Sequence, residues 1–166
     1  MKADTLLNLY IGELQDLYNA EKQLLKALPK MQEAASTEEL AEAFGKHLIE
    51  TNTHVERLET IIKDLGKKPG GEKCEAMKGL ITEGDEIAEA DGVDNVRDAG
   101  IIVAAQKVEH YEIAGYGSMC AFAKVLGRKQ DLKLLTKTLE EEKAADAKLS
   151  ELADGIVNVG ALEVEA

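Results

Sequence analysis

The stretch Ala104-Ala-Gln-Lys-Val-Glu109-His-Tyr-Glu112-Ile-Ala-Gly-Tyr-Gly117 decides how the chain is read. It lies inside a proline-free helical pattern running from about Asp94 to Leu126. Ile101, Ala105, Val108, Gly115, Met119, Phe122 and Leu126 recur at helical spacing, and the one stripe position they skip is Glu112. Glu109 lies one turn earlier on the same side. A carboxylate within an apolar stripe must be neutralised or find a cation, because burying a lone charge costs several kcal/mol or more.

The other helices repeat this arrangement. A first helix, from about Thr5 to Ala35, carries Leu7, Ile11, Leu14, Tyr18, Glu21, Leu25 and Leu28 on its stripe, with Asp4 or Thr5 as cap and Pro29 expected to bend it. Ser36 and Glu39 form a capping-box pattern that starts a second helix, which Gly66 should end. Its stripe is Leu40, Phe44, His47, Thr51, His54, Leu58, Ile61 and Leu65, apolar at both ends and polar in the middle, with Glu50 one turn before His54. A last long helix, from about Gln130 to Ile156, carries Leu132, Leu135, Leu139, Glu142, Asp146, Leu149 and Ala153. Its Glu140 and Glu141 read as a solvated face.

Gly66-Lys-Lys-Pro69-Gly-Gly71 and Gly92 bracket a weaker helical period from about Glu72 to Ala90. A connection of this length is too long for a tight hairpin and should carry the chain back across the bundle. Two long helices, a crossover and two more long helices make the order of an all-α, ferritin-like four-helix bundle. A single domain over residues 1–157, with a loose tail at 158–166, is the expected organisation.

The chain has 166 residues, 4% aromatics and no tryptophan, a composition suited to helices. A net charge of −12 disfavours phosphate backbones, so nucleic acid is not an expected partner. Cys74 and Cys120 fit no Cys-x-x-Cys pattern, so neither a disulfide framework nor a thiolate metal site is suggested. No secretory h-region and no run of about 18 apolar residues is present, and a cytoplasmic location away from membranes is expected. A second apolar face formed by Ile102, Ile113, Tyr116 and Cys120 suggests a homodimer.

The two helical hairpins also agree in register. Glu50 and His54 lie 92 residues before Glu142 and Asp146, and Glu21 lies 91 before Glu112. Glu21, Glu50, His54, Glu109, Glu112, Glu142 and Asp146 are therefore the candidate metal ligands, with Glu50 or Glu142 as bridges. Six carboxylates and one imidazole cannot share a core without cations. Oxygen and nitrogen donors without thiolates suit two ions of iron, or manganese.

The chain resembles the YciF-like family of bacterial ferritin-like, stress-associated proteins over nearly its whole length. The resemblance is carried by Ala20-Glu21-Lys-Gln-Leu24, His47-Leu-Ile-Glu50-Thr51, Val55-Glu-Arg-Leu58, Val96-Arg-Asp98, the run from Ala104 through Ala114, and Leu139-Glu-Glu-Glu-Lys143. That family is similar to the rubrerythrins, which implies a di-iron site with Glu21, Glu50, His54, Glu109, Glu112 and Glu142 as ligands. Two departures stand out: Glu50-x-x-x-His54 replaces the usual Glu-x-x-His, and Ala145 stands where a second histidine would follow Glu142. The site would then be asymmetric, hold one ion, or lack redox competence. Tyr18, Tyr111 and Tyr116 lie near the acids and read as core or rim tyrosines in preference to an electron relay. Two functions remain open. One is a di-metal protein that oxidises ferrous iron with dioxygen or reduces peroxide; the other is a structural or interaction bundle with a vestigial or mono-metal site.

Overall fold

The computed structural model describes residues 4–163 and contains no strand among them. Helix α1 spans Leu6–Ala34, α2 Glu38–Asp64, α3 Glu75–Ala88, α4 Asp94–Val125 and α5 Lys129–Leu152. Each long helix exists because its apolar stripe finds a partner. α1 packs mainly on α2 and α4 mainly on α5, while α1–α4 and α2–α5 contacts close the bundle.

Side-chain contacts between helix ends fix the directions. Ser36 and Thr37, before α2, bond to Asp98 near the start of α4, so α2 and α4 run parallel. The Tyr10 hydroxyl near the start of α1 donates to Asp131 near the start of α5, so α1 and α5 also run parallel. The expected crossover accounts for this topology. Lys67 N–H bonds back to Ile62 O across Gly66, whose φ of 69° suits a residue without Cβ, and α2 stops there. The chain then returns along the outside of α1 and α4, where α3 is tied by Lys30–Asp85 and Lys107–Glu83. None of the described helices is long and apolar enough to cross a membrane.

Three local expectations are corrected. The N-cap of α1 is Thr5, whose hydroxyl accepts from Asn8 N–H, but the cap of α2 is not a Ser36–Glu39 box. The Ser36 and Thr37 amides and hydroxyls instead all donate to the carboxylate of Asp98, which is fully buried. The tail expected to be loose at 158–166 is helical through most of its described part. Ala153–Val157 makes one wide π-helical turn, buries Val157 and leads into α6, Asn158–Leu162. α6 lies on α4, and a Cβ at Gly160 would fall 2.8 Å from the Asn95 side chain, which would have to shift to admit it. Residues 164–166 of the expected tail lie outside the described residues. Finally, Ile102 and Tyr116 are buried by the chain's own elements, so the face expected to meet a second copy is not free at those positions.

Asp98 yields a stability test. Although burial opposes its ionisation, the four donors from Ser36 and Thr37 hold its carboxyl below the ordinary value of 3.8. Its contribution is present above that value and lost as pH falls through the lowered one. Asp98→Ala strands these donors and should cost about 2–4 kcal/mol at neutral pH, read by denaturant unfolding. A loss below about 1 kcal/mol would show that water replaces the carboxylate at little cost.

Candidate metal centre

The core is divided in two by a polar layer. On one side lie Leu24, Leu28, Leu40, Phe44, Ile101 and Leu149 with their neighbours. On the other lie Tyr10, Leu14, Leu58, Ile61, Met119 and Leu135. Between them α1 contributes Glu21, α2 His47, Thr51 and His54, α4 Glu109 and Glu112, and α5 Glu142, all buried. The heptad separating His47 from His54 puts both rings on the inward face of α2, two turns apart.

These side chains converge in two groups. One ligand atom from each of His47, Glu109, Glu112 and Glu142 lies within 4.8 Å of the others, and the same holds for Glu21, His54 and Glu142. Glu142 is common to both. His47 Nε2 lies 3.3 Å from Glu109 Oε1 and 3.6 Å from Glu142 Oε2. His54 Nδ1 lies 2.9 Å from Glu142 Oε1 and 3.4 Å from Glu21 Oε1. These approaches are close, yet neither His47 nitrogen nor His54 Nδ1 makes a hydrogen bond. Among the described residues, every buried side-chain nitrogen or oxygen without a hydrogen-bond partner belongs to these six, and both oxygens of Glu112 and of Glu142 are included. Buried polar atoms are normally satisfied. A layer whose orphaned atoms are all potential ligands facing one another fits cations of the kind that oxygen and imidazole donors hold.

Around this layer a support orients His54. Its Nε2 lies 3.0 Å from Glu141 Oε2, so Nε2 donates there and Nδ1 is aimed at Glu21 and Glu142, where its lone pair would face a cation once the ring is neutral. Glu141 is held in turn by Arg57, whose two terminal nitrogens reach its two oxygens and one of which also donates to Thr138 Oγ1 at 3.0 Å. Tyr116 donates to Glu21 Oε1. The other tyrosines face elsewhere: Tyr111 donates to Asp16 and Tyr18 to Glu59.

The electrostatics record the crowding. Burial pushes the Glu112 carboxyl well above its ordinary range, with Glu21, Glu142 and Glu109 adding to the effect. Burial likewise raises Glu21, and pushes Glu109 up to about 8 against the opposing pull of His47. Burial disfavours protonation of both imidazoles, yet the carboxylates prevail. Glu109 leads in raising His47 to about 9, and Glu142 and Glu21 raise His54 to about 10. Without a metal the layer therefore holds protons in place of cations.

Of the seven candidates from the sequence, Glu21, His54, Glu109, Glu112 and Glu142 meet in this layer. Glu50 sits at its rim, paired with Lys46 and 3.7 Å from His47 Nδ1. Asp146 turns outward to Gln106 and His110. The set that could hold a metal is thus four carboxylates and two imidazoles, with His47 supplying the second ring. Glu141, read as solvated, is instead the support for His54. The stripe position of His47 was the available signal; for Glu141, nothing in the local sequence singles it out from Glu140.

Residues 5–162 match the family described as Domain of unknown function (DUF892). The chain is 47% identical over 159 residues to Protein YciF of Escherichia coli (strain K12), covering 95% of this chain and 96% of that protein. The crystal structure of the E. coli stress protein YciF superimposes with a TM-score of 0.90 over 93% of this chain and 98% of its own. YcfI of Rhodopseudomonas palustris, which its description supposes to be a structural protein, is 45% identical with a TM-score of 0.86 over 90% of this chain and 97% of its own. A protein of Xanthomonas campestris, at 20% identity and a TM-score of 0.77 over 97% and 99% of the two chains, shares the fold. The chain therefore belongs to the DUF892 family and is a relative of the stress protein YciF.

Proposed function

We propose that this chain is a ferritin-like metal protein of the bacterial stress response whose polar layer holds two divalent ions, iron by preference and manganese as the alternative. The observation that carries this reading is the set of orphaned atoms on Glu21, His47, His54, Glu109, Glu112 and Glu142. Glu142, common to both groups, would contribute a carboxylate to each ion. Glu21 and His54 would hold one ion, and His47, Glu109 and Glu112 the other. Such a pair of ions, when bound, supplies redox chemistry toward dioxygen or peroxide. The chain's own part is to exclude bulk water, fix the His54 tautomer through Glu141 and Arg57, and release the protons the layer otherwise retains. The stress assignment follows the description of YciF.

The competing reading is a purely structural, proton-filled layer, supported by the two imidazoles that sit beside carboxylates and by the description of the R. palustris relative. Metal content separates the two. Protein purified without chelator should carry iron or manganese at up to two per chain. Ferrous iron at a hundredfold excess over its dissociation constant should stabilise the metal-free protein by about 2.7 kcal/mol. Protein that retains no metal and gains no stability from ferrous iron or manganese would make the structural reading the correct one. The absorption change on adding dioxygen or peroxide to the ferrous form then separates iron oxidation from peroxide reduction.

Glu141 provides a test away from the ligands. Glu141→Ala should weaken metal binding about 10–100-fold by freeing the His54 ring. Its exposed neighbour in the variant Glu140→Ala should leave binding unchanged. Equal affinities in the two variants would show that His54 needs no support.

A further inference from the structure

One cavity connects the polar layer with solvent. It lies between α2 and α5, has a volume of about 50 Å³, and reaches His47 and Glu109. Its wall on α5 is Ala144 and Ala145, and its wall on α2 is Ala43 and Phe44. Lys46 and Glu50, both partly in solvent and paired at 3.4 Å, stand on its rim. A second observation agrees independently. Of the six residues whose orphaned atoms form the layer, only His47 and Glu109 retain any accessible surface, 5% and 3%; Glu21, His54, Glu112 and Glu142 retain none. The two residues that solvent touches are the two that line the cavity.

The space has a specific origin. Ala145 lies three residues after Glu142, one turn along the same side of α5. A methyl group there leaves open what a larger side chain would fill. At roughly 10–15 Å³ of such volume per water, the cavity takes about three to five waters and nothing much larger. Its sides are mostly apolar, and its inner end meets ring and carboxylate atoms that lack hydrogen-bond partners.

We propose that this cavity is the passage through which a ligand of two or three heavy atoms, an oxygen or nitrogen donor of the size of dioxygen, peroxide or azide, reaches the buried layer on its His47–Glu109 side. The inference rests on the reading of the layer as a metal centre, and it adds a limit on substrate class: bulky organic hydroperoxides are excluded by size. His47 thus has a position distinct from His54, since His54 is sealed and braced whereas His47 faces the passage.

Cobalt(II) and azide test the proposal. Azide titrated into cobalt-loaded wild type should change the visible cobalt spectrum saturably. In Ala145→Leu, azide affinity should fall at least about tenfold, a loss of 1.4 kcal/mol, while cobalt affinity stays within about threefold of wild type. If Ala145→Leu does not fold or take up cobalt, Ala144→Phe at the exposed outer wall carries the same comparison. A spectrum unchanged by azide in cobalt-loaded wild type, or azide affinity equal in wild type and the blocked variant, would overturn the passage. Wild type that binds no cobalt would instead remove the metal reading itself, so the two failures are distinguishable.

Discussion

Glutamine in place of Glu112 should make the metal-free protein more stable by on the order of 2–4 kcal/mol at pH 8, and should abolish stabilisation by ferrous iron. Both oxygens of Glu112 are buried without a hydrogen-bond partner, and three other carboxylates crowd it. Its carboxyl is raised well above the ordinary value, so between the two values the folded chain holds a proton that the unfolded chain releases. Stability of the wild type must therefore fall as pH rises through that window, by about 1.4 kcal/mol per pH unit for each proton retained. Glutamine has no proton to retain. Wild type and Glu112→Gln should accordingly converge near pH 4.5 and diverge as pH rises, a pattern that denaturant midpoints would record. A destabilised Glu112→Gln at pH 8 would mean that the carboxylate is satisfied without a cation. Protein chains tolerate a group that weakens their own fold mainly where function requires it.

Metal binding at pH 7 should expel about two or more protons per chain, and the overall binding constant should drop on the order of a hundredfold for each pH unit lowered. His47 and His54, raised to about 9 and about 10 by the carboxylates beside them, hold protons at pH 7, and burial raises the Glu109 carboxyl beside His47. The Glu112 carboxyl is raised as well, by burial and by the neighbouring carboxylates. Ligation requires neutral rings and ionised carboxylates, so each of these protons must leave. The same shifts fix the sign of stability in the metal-free state. The imidazoles contribute fully below pH 6.5 and lose their contribution as pH rises through about 9 and 10; the raised carboxyls weaken the fold increasingly above pH 4.5. Metal-free protein should thus be more stable at pH 5.5 than at pH 8.5, and metal should invert that order. Calorimetric enthalpies in buffers of different ionisation heat give the proton count. Release of fewer than one proton would contradict the protonation states derived from this geometry.

The bundle was legible in the sequence because burial imposes a period, and four stripes of that period are present. Gly66 and the long connection also carried physical information, one as the positive-φ stop of α2 and the other as the span of the crossover. The core of the site was legible for the same reason: Glu21, Glu109, Glu112 and Glu142 interrupt stripes that are otherwise apolar. Which further acids join them was not. A residue three or four positions away is rotated by tens of degrees, which is enough to leave Asp146 with Gln106 and Glu50 at the rim with Lys46. The 92-residue register between hairpins favoured both of these acids, although burial selects neither. His47 occupied a stripe position, but only His54, one turn after Glu50, entered the candidate set. Glu141 and Asp98 act through contacts more than 60 residues away in sequence, and no local pattern encodes such contacts.

The central claim is that the buried layer exists to hold cations, and an anaerobic calorimetric titration of metal-free protein with ferrous iron tests it most directly. The account expects saturable binding of up to two ions per chain in wild type, retained in Glu140→Ala and lost in Glu112→Ala. The absence of saturable heat in wild type, or one isotherm shared by wild type and Glu112→Ala, would contradict it.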